Sequence, residues 1–216
     1  MNRVEIVWLG HSCFRLRGKD ITVITDPFDR SSGYFLGRVT ADVVTVSHNA
    51  PDHANVSAVA GDPRVVEGPG EYEISGALIT GVATRRDSRK GVVGEKNTAY
   101  LMEIDDLTIC HLGDLGAILS SEQVEQMNSA DVLLIPVGGY NTISAAQAAE
   151  VVSQIEPRIV VPMHFKTDVT ALELEPVSKF LREMGVTDLS PLPKLSITKG
   201  SLPEEPTVVL LDYGKR

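Results

Sequence analysis

The residues best suited to chemistry in this sequence are histidines and aspartates that follow apolar segments. The stretch TVSHNAPDH places His48, Asp52 and His53 directly after an apolar run. Asp114, in HLGDLG, comes after the apolar LTIC, and His164 follows IVVPM. Because zinc and similar ions prefer imidazole nitrogen and carboxylate oxygen, we predict one divalent metal ion, with zinc first and iron or manganese as alternatives. The predicted ligands are Asp52, His53, Asp114 and His164.

A divalent ion held by these side chains predicts hydrolysis of a small molecule. A catalytic metal site keeps one position for a water molecule, whose pKa falls to near neutrality, so that the water becomes a nucleophile. His48 lies beside this set in sequence, and Asp52 or Asp114 can handle the proton. We therefore predict a metal-dependent hydrolase in which Asp52 and His48 take part in catalysis.

Four of the five histidines stand at or near the end of an apolar, strand-like segment. They are His11, His48, His111 and His164. Strand ends at one edge of a sheet can direct ligands into a shared cleft. For His11 two roles stay open, orienting a metal ligand through its ring N–H or a purely structural one. His111 is not expected to be a ligand, because alternation along an extended backbone sends it to the face opposite Asp114.

The first half of the chain is rich in strand-like segments, and the second half alternates helix and strand. The predicted strands of the first half are 4–9, 13–16, 21–25, 43–47, 64–67, 71–74, 77–82, 98–104 and 107–111. SSEQVEQMNSA and SAAQAAEVVSQIEP predict helices, each followed by an apolar strand, DVLLIPVGG and RIVVPMHF. Ser144 is the predicted N-cap of the second helix, and Pro157 ends it. A last helix is predicted over 176–184 before Gly185, and TVVLLDY predicts a final strand.

Composition and charge argue against several classes of protein. With 43% hydrophobic and 23% charged residues the chain is typical of a globular protein. A net charge of −9 argues against binding to nucleic acid, and the basic stretch TRRDSRK at 84–90 is short and interrupted by Asp87. No apolar run approaches the about 20 residues of a membrane helix.

The same features predict a compartment and an assembly. No secretory signal is visible at the start of the sequence, and Cys13 and Cys110 are expected to be reduced, buried thiols. We therefore predict a cytoplasmic protein. The length suits a single domain over 1–216. A homo-oligomer is compatible with a chain of this size and acidity.

Several motifs together resemble the metallo-β-lactamase fold superfamily. SHNAPDH is similar to its H-x-H-x-D-H signature. WLGHSCF, ITDPF, GPGEYEI, HLGDLG, PVGG and PMHF resemble its Zn-dependent hydrolase branch, which the lactonase of phosphorylated ascorbate resembles more distantly. The resemblance covers nearly the whole chain. It implies an α+β fold, a four-layer αββα sandwich with the site along one edge.

The resemblance also implies two metal pockets, of which one is depleted here. The complete pocket corresponds to Asp52, His53, Asp114 and His164. The other takes two histidines of the signature and one from a later strand end. His48 is kept, but Ala50 replaces the second histidine, and Arg85, Arg86 and Asp87 stand where the third is expected. Since alanine cannot coordinate and a charged guanidinium is not a ligand, we expect a mononuclear site.

Three functions from different classes fit this pattern. The first is hydrolysis with one metal ion in the complete pocket. In the second, Arg85 or Arg86 projects into the depleted pocket and binds an anionic small molecule, with Arg86 as the predicted substrate-binding residue, so that the protein binds or senses a ligand. In the third, the fold is retained without metal, and the remaining His and Asp side chains hydrogen-bond one another.

Overall fold

Strands dominate the first half of the chain, and α-helices enter only in the second. The computed structural model describes residues 2–86 and 94–214. Within the basic stretch TRRDSRK at 84–90, Asp87 to Lys90 therefore lie outside the described residues. The described strands are β1 (Val4–Gly10), β2 (Cys13–Arg17), β3 (Thr22–Thr25), β4 (Val39–Thr40), β5 (Val43–Val46), β6 (Val59–Ala60), β7 (Arg64–Glu67), β8 (Gly70–Ile74), β9 (Ala77–Arg86), β10 (Glu95–Ile104), β11 (Leu107–His111), β12 (Val132–Pro136), β13 (Ile159–Met163), β14 (Leu195–Ile197) and β15 (Thr207–Val208). The described α-helices are α1 (Ser121–Met127), α2 (Ala145–Ile155) and α3 (Val177–Glu183).

Two large sheets carry the structure. The first has the order β14-β1-β2-β3-β5-β7, and the second has the order β15-β13-β12-β11-β10-β9-β8. The strands β4 and β6 form a small separate ladder. Each large sheet is mixed, because β3, β5 and β7 run parallel in the first and β11, β12, β13 and β15 run parallel in the second.

Alternating side chains of the first sheet enter two different hydrophobic cores. Val23 and Val43 belong to the larger core, which also contains the buried side chains of the second sheet and of the helices. Their neighbours Ile24 and Val44 belong to a smaller core, which is completed by loop residues such as Phe28. Because successive residues of a strand point to opposite faces, the second sheet covers one face of the first sheet, and the smaller core covers the other.

The helices begin at the positions that their capping residues dictate. Ser144 is the N-cap of α2, as predicted, and it forms a reciprocal capping box with Gln147. Ser120 and Gln123 form the same arrangement at the start of α1. The α2 helix ends at Glu156, which takes a left-handed conformation directly before Pro157. None of the described helices is long and apolar enough to cross a membrane.

The carboxyl ends of several strands meet at one edge of the sandwich. His11 follows β1, Ser47 and His48 follow β5, and His164 follows β13. The β11 strand leads into the turn that carries Asp114, and the N–H of Asp114 donates to the side-chain oxygen of Asn97 in β10. Parallel strands place their carboxyl ends at the same edge, so residues remote along the chain gather there.

Candidate metal centre

Three residues at this edge have a positive φ angle, which is uncommon for any residue except glycine. They are His11 (φ 53°), Asp26 (φ 39°) and His164 (φ 50°), and each directly follows a strand. Such conformations cost free energy and cluster at functional sites, where the surrounding structure holds them. The His11 carbonyl supplies part of this support, since it accepts hydrogen bonds from the Trp8 indole N–H at 2.9 Å and from the His164 backbone N–H at 3.2 Å.

The structure brings together the four residues that the sequence predicts as ligands. His53 Nε2 lies 3.3 Å from Asp114 Oδ1, and His164 Nε2 lies 3.6 Å from the same oxygen. Asp52 Oδ2 lies 4.0 Å from His53 Nε2. The side chains of His53, Asp114 and His164 are buried, whereas that of Asp52 is 25% exposed. Four groups from three distant parts of the chain therefore converge on one small volume.

His11 joins this cluster, although its role was left open by the sequence. Its Nε2 lies 3.0 Å from His53 Nε2 and 3.3 Å from Asp52 Oδ2. Its ring centroid lies 4.6 Å from that of His164. His11, His53 and His164 present ring nitrogens within 4.8 Å of one another, as do the ligand atoms of His48, Asp52 and His53. The feature of the sequence that indicated His11 as a site residue is its position directly after β1, just as His164 directly follows β13.

His48 lies at the side of the cluster. Its Nε2 is 3.8 Å from Asp114 Oδ2, and its ring centroid is 4.2 Å from that of His53. Its Nδ1 is 3.1 Å from Ser47 Oγ, and Ser47 Oγ donates its hydrogen to Asp26 Oδ2 at 2.6 Å. Because the Ser47 hydroxyl hydrogen is already used, His48 Nδ1 must donate to Ser47 Oγ. A neutral His48 ring therefore leaves Nε2 as an acceptor that faces the cluster.

Asp26 is a site residue that the sequence analysis missed. Its buried carboxylate accepts a hydrogen bond from His53 Nδ1 at 2.8 Å and another from the Ser47 backbone N–H at 2.8 Å. Through Ser47 it also fixes the ring of His48. The carboxylate therefore orients both rings and leaves the Nε2 of His53 facing Asp114. The motif ITDPF contained this residue, but nothing in its spacing pointed to a partner 27 positions away.

Of the two arginines considered for the depleted pocket, only Arg86 reaches the cluster. Its Nη2 is 3.8 Å from Asp114 Oδ2, and its Nη1 is 3.5 Å from Glu95 Oε2. Arg85 points elsewhere, because its Nη1 donates to the Gly94 carbonyl at 2.7 Å. Ala50 supplies no ligand atom. The resemblance implies a further imidazole beside Asp114, and in this protein the guanidinium of Arg86 lies there.

His111 and the cysteines lie outside the cluster. His111 Nε2 is 2.8 Å from the Ser12 carbonyl, to which it donates, and its ring contacts Phe14. This position agrees with the expectation that His111 is not a metal ligand. Cys13 and Cys110 are free, buried thiols, as predicted. Burial raises the pKa of both thiols, which makes them poor nucleophiles.

Comparison with known proteins decides the family. Residues 5–164 match the family model described as "Beta-lactamase superfamily domain". This chain belongs to that family. A UPF0173 protein of Pyrococcus furiosus is 30% identical over 183 residues, which cover 76% of this chain and 84% of that protein. A UPF0173 metal-dependent hydrolase of Thermoplasma volcanium is 28% identical over 192 residues, with 76% and 84% covered.

A solved structure extends the likeness to the whole fold. The crystal structure of a Thermotoga maritima protein, described as a Zn-dependent hydrolase of the metallo-β-lactamase superfamily, matches with a TM-score of 0.78 and 37% identity. The match covers 96% of this chain and 98% of that one. The predicted α+β sandwich of the metallo-β-lactamase type is therefore confirmed. One local feature differs from the implied four layers, because the outer face of the first sheet is covered by loops and the β4–β6 ladder rather than by a described α-helix.

Charge in the centre of this β-lactamase superfamily domain is distributed unevenly among the histidines. Burial opposes a charge on His53, but the carboxylates of Asp114 and Asp26 outweigh it and raise the pKa of His53 to about 9. Burial and the positive charge of His53 lower the pKa of His48 to about 4. Burial lowers the pKa of His164 to about 3 despite the nearby Asp114 carboxylate. His53 is therefore the imidazole that carries the positive charge among these three.

The carboxylates of the centre are ionised. Burial alone would raise the pKa of Asp114, but the positive charge of His53 outweighs it and holds that pKa below its usual range. For Asp52, burial is likewise outweighed, here by the hydrogen bond from His11 and the charge of His53, so its pKa is also lowered. Three carboxylates, with Asp26 as the third, thus meet two cations, His53 and Arg86. The excess of negative charge favours a bound cation.

The donor set of this family member fits a divalent metal ion. His48 Nε2, His164 Nε2 and Asp114 Oδ1 are buried polar atoms that have no hydrogen-bond partner among the described residues. Buried polar atoms without partners cost free energy, and each exception needs an explanation. His164 Nε2 and Asp114 Oδ1 face the same volume as His53 Nε2, and a metal ion would satisfy both. His48 Nε2 lies at the side of this volume, 3.8 Å from Asp114 Oδ2, as an acceptor. Nitrogen and oxygen donors in this mixture suit zinc, iron or manganese.

A cavity of about 520 Å³ opens beside the centre. Its floor includes His48, Asn97 and Thr84, and its rim includes Arg85 and Lys96. Asn97 is buried and donates to the Leu112 carbonyl at 3.0 Å, while its side-chain oxygen accepts from the Asp114 N–H at 3.0 Å. The same side chain therefore lines the cavity and holds the turn that carries Asp114.

Proposed function

We propose that this protein is a metal-dependent hydrolase that works with one divalent metal ion, with zinc as the first choice. The observation that carries the proposal is the convergence of His53 Nε2 and His164 Nε2 on Asp114 Oδ1, at 3.3 and 3.6 Å. Two of these buried atoms, His164 Nε2 and Asp114 Oδ1, have no hydrogen-bond partner among the described residues. The residues that would hold the ion include Asp52, His53, Asp114 and His164. The names of the relatives, which describe metal-dependent hydrolases, support the same class of reaction.

Two features favour a single ion. Ala50 offers no ligand atom at the second histidine position of the family signature. The Arg86 guanidinium lies 3.8 Å from Asp114 Oδ2, so a positive charge already stands on the side of Asp114 where a second ion would bind. Two cations sharing one carboxylate oxygen repel each other, which lowers the affinity for that second ion.

The residues around the ion have separate roles in the proposed reaction. A divalent metal ion, when bound, supplies Lewis-acid activation of water and polarises the bond to be cleaved. His48 offers Nε2 as a proton acceptor, because its Nδ1 is committed to Ser47. Asp52 is the most exposed carboxylate of the cluster, so it can exchange protons with solvent. We assign proton transfer to His48 and Asp52, and the orientation of His53 to Asp26.

The substrate is proposed to be a small molecule that carries an anionic group. The cavity beside His48 has a volume of about 520 Å³, which is in the range of small-molecule sites. Arg85 and Lys96 line the cavity, and Arg86, outside its lining, stands beside Asp114 in the centre. Arginine binds carboxylate and phosphate groups in a bidentate manner, so Arg86 is the proposed contact to such a group.

A second candidate function is the binding of an anionic ligand without catalysis. The observation that favours it is the approach of Arg86 to Asp114, since a guanidinium can replace the charge of a metal ion. In that case the protein would bind a carboxylate or phosphate compound with its full affinity in the presence of a chelator. The hydrolase proposal expects the opposite, a dependence on metal.

One experiment separates these functions. The purified protein is loaded with Zn²⁺, Fe²⁺ or Mn²⁺ and tested against lactones, phosphodiesters, thioesters and amides that carry an anionic group. We expect turnover of one class that disappears on chelation and in Asp114→Asn. Glu73→Gln, an exposed residue of β8, is the matched control and should keep the activity. Turnover that survives both chelation and Asp114→Asn would overturn the proposal, and so would chelator-insensitive ligand binding without turnover.

A further inference from the structure

We propose that His11 is a direct ligand of the metal ion, so that the centre contains three imidazoles from His11, His53 and His164. The inference rests on the proposed function, because it specifies how the same ion is held. It differs from the ligand set implied by the family signature, in which no residue of the first strand takes part. It also assigns a chemical role to the imidazole of His11, which is buried in the centre.

The donor atoms have the spacing of atoms bound to one ion. Two atoms bound to one zinc ion at about 2.0–2.1 Å lie about 2.9 Å apart when the angle at the ion is about 90° and about 3.3 Å apart when it is tetrahedral. His11 Nε2 lies 3.0 Å from His53 Nε2 and 3.3 Å from Asp52 Oδ2. These separations match the 3.3 Å between His53 Nε2 and Asp114 Oδ1, two atoms already proposed as ligands. His11 therefore stands at the distance of a co-ligand.

His11 approaches His53 from the side of the ring that faces the other proposed ligands. A residue that only orients a metal-bound histidine forms its hydrogen bond with the ring nitrogen that does not bind the metal. For His53 that nitrogen is Nδ1, which Asp26 already occupies at 2.8 Å. His11 instead meets Nε2, the nitrogen that faces Asp114. Its imidazole is thus on the metal side of His53 and not behind it.

The backbone holds His11 in place before any ion binds. The residue has a φ of 53°, and its carbonyl accepts two hydrogen bonds, from the Trp8 indole and from the His164 backbone N–H. The second of these bonds fixes His11 directly against another proposed ligand. Such an arrangement gives a ligand that needs little reorganisation. The turn after β1 thus adds an imidazole to the pocket that already contains Asp52 and His53.

The test counts imidazoles in the cobalt-substituted protein. In Co²⁺-loaded protein, each histidine bound through Nε2 contributes one strongly shifted, solvent-exchangeable Nδ1–H signal to the proton NMR spectrum. We expect a signal from His11 beside those of His53 and His164, and its loss in His11→Asn. Asparagine suits the variant because it tolerates a positive φ. His111→Gln is the control and should retain all three signals, because His111 lies outside the cluster and glutamine keeps an N–H donor for the Ser12 carbonyl.

A second variant guards against failure of the first to fold. His11→Gly also accepts the positive φ and leaves room for free imidazole. We expect its affinity for Zn²⁺, measured by competition with a chelator, to fall by more than the about 10- to 100-fold that loss of an orienting residue causes, and added imidazole to restore it. An unchanged set of shifted signals in His11→Asn would overturn the role of His11 as a ligand, and a loss in affinity of no more than about 100-fold in His11→Gly would do the same.

The outcomes also separate this inference from the proposed function. Wild-type protein that binds cobalt with signals from His53 and His164 but none from His11 would leave the hydrolase proposal standing and refute the third imidazole. Wild-type protein that takes up no cobalt at all would contradict both. A signal that disappears in His11→Asn while cobalt remains bound supports both.

Discussion

At the scale of single residues, Asp26 is the group on which the geometry of the centre depends. One carboxylate accepts from His53 Nδ1, the Ser47 N–H and the Ser47 hydroxyl. Asp26→Asn removes the negative charge that holds His53 Nδ1–H. We expect the affinity for Zn²⁺, measured by chelator competition, to fall by about 10- to 100-fold, with the fold retained. Asp20→Asn, an exposed control, should leave the affinity unchanged, and equal affinities for wild type and Asp26→Asn would contradict this role.

The depleted pocket gives a second prediction at this scale. Arg86 stands beside Asp114, and Ala50 supplies no ligand atom. The double variant Arg86→His with Ala50→His removes a positive charge and adds two imidazoles near His48. We expect it to bind a second equivalent of Zn²⁺ by elemental analysis, whereas Ala50→His alone should not, because Arg86 still opposes the ion. A stoichiometry that does not change in the double variant would mean that Arg86 does not substitute for a metal.

The sequence was sufficient to select some of these residues and not others. Asp52, His53 and His48 belong to one short motif, so their proximity was predictable from local spacing. The contact of Asp26 with His53 and the contact of His11 with His53 depend on the pairing of β1, β2, β3 and β5, which no local pattern encodes. The direction of Arg86 rather than Arg85 toward Asp114 depended on the alternation of β9, whose length the sequence underestimated.

At the scale of elements, the turn after β11 leaves no space for a side chain. Gly113 has a φ of 55°, and an added Cβ would lie 2.5 Å from Ser47 Cβ and 2.6 Å from Asn97 Oδ1. We expect Gly113→Ala to lower the free energy of unfolding by at least about 2 kcal/mol, because it combines a left-handed backbone with overpacking. Chemical denaturation measures this loss.

The matched control for this prediction is Gly200→Ala. Gly200 has no heavy atom within 4 Å of an added Cβ and no positive φ, so the substitution should change stability by less than about 0.5 kcal/mol. The Gly113→Ala protein should also bind Zn²⁺ more weakly, since the turn positions Asp114. Equal free energies of unfolding for the two variants would show that Ser47 and Asn97 do not pack closely against Gly113.

The elements themselves were largely predictable where local signals were strong. All nine predicted strands of the first half form, within a few residues at each end, and the capping residue Ser144 begins α2 as predicted. β9 and β10 are longer than predicted, because Arg86 and Glu95 pair across the ladder. The predicted final strand over 207–213 is shorter, since β15 includes only Thr207–Val208. The two-residue strands β4 and β6 were not predicted, since their pairing comes from tertiary contacts.

At the scale of the whole molecule, a bound ion should stabilise the fold. Its proposed ligands come from several strand ends of both sheets, so unfolding would disperse them. We expect Zn²⁺ at about 100 times its Kd to add about 2.7 kcal/mol to the free energy of unfolding, which corresponds to a rise in Tm of about 5–10 °C. The shift should be absent in His53→Ala with Asp114→Asn. An unshifted Tm in the wild type, at saturating Zn²⁺, would contradict a site shared between the sheets.

The same thermal measurement bears on the domain organisation. The prediction of a single domain over 1–216 expects one cooperative transition in calorimetry, with equal calorimetric and van't Hoff enthalpies. Two separated transitions would contradict it. Cytoplasmic location and homo-oligomerisation stay predictions, since composition and charge bear on them only indirectly.

The most direct measurement of the central claim is the number of metal ions bound per chain. The protein is stripped of metal, reconstituted with excess Zn²⁺, freed of loosely bound ion by gel filtration and analysed for elemental content. We predict close to one zinc per chain in the wild type and none in His53→Ala with Asp114→Asn. A wild-type protein that retains no zinc, or two per chain, would contradict it.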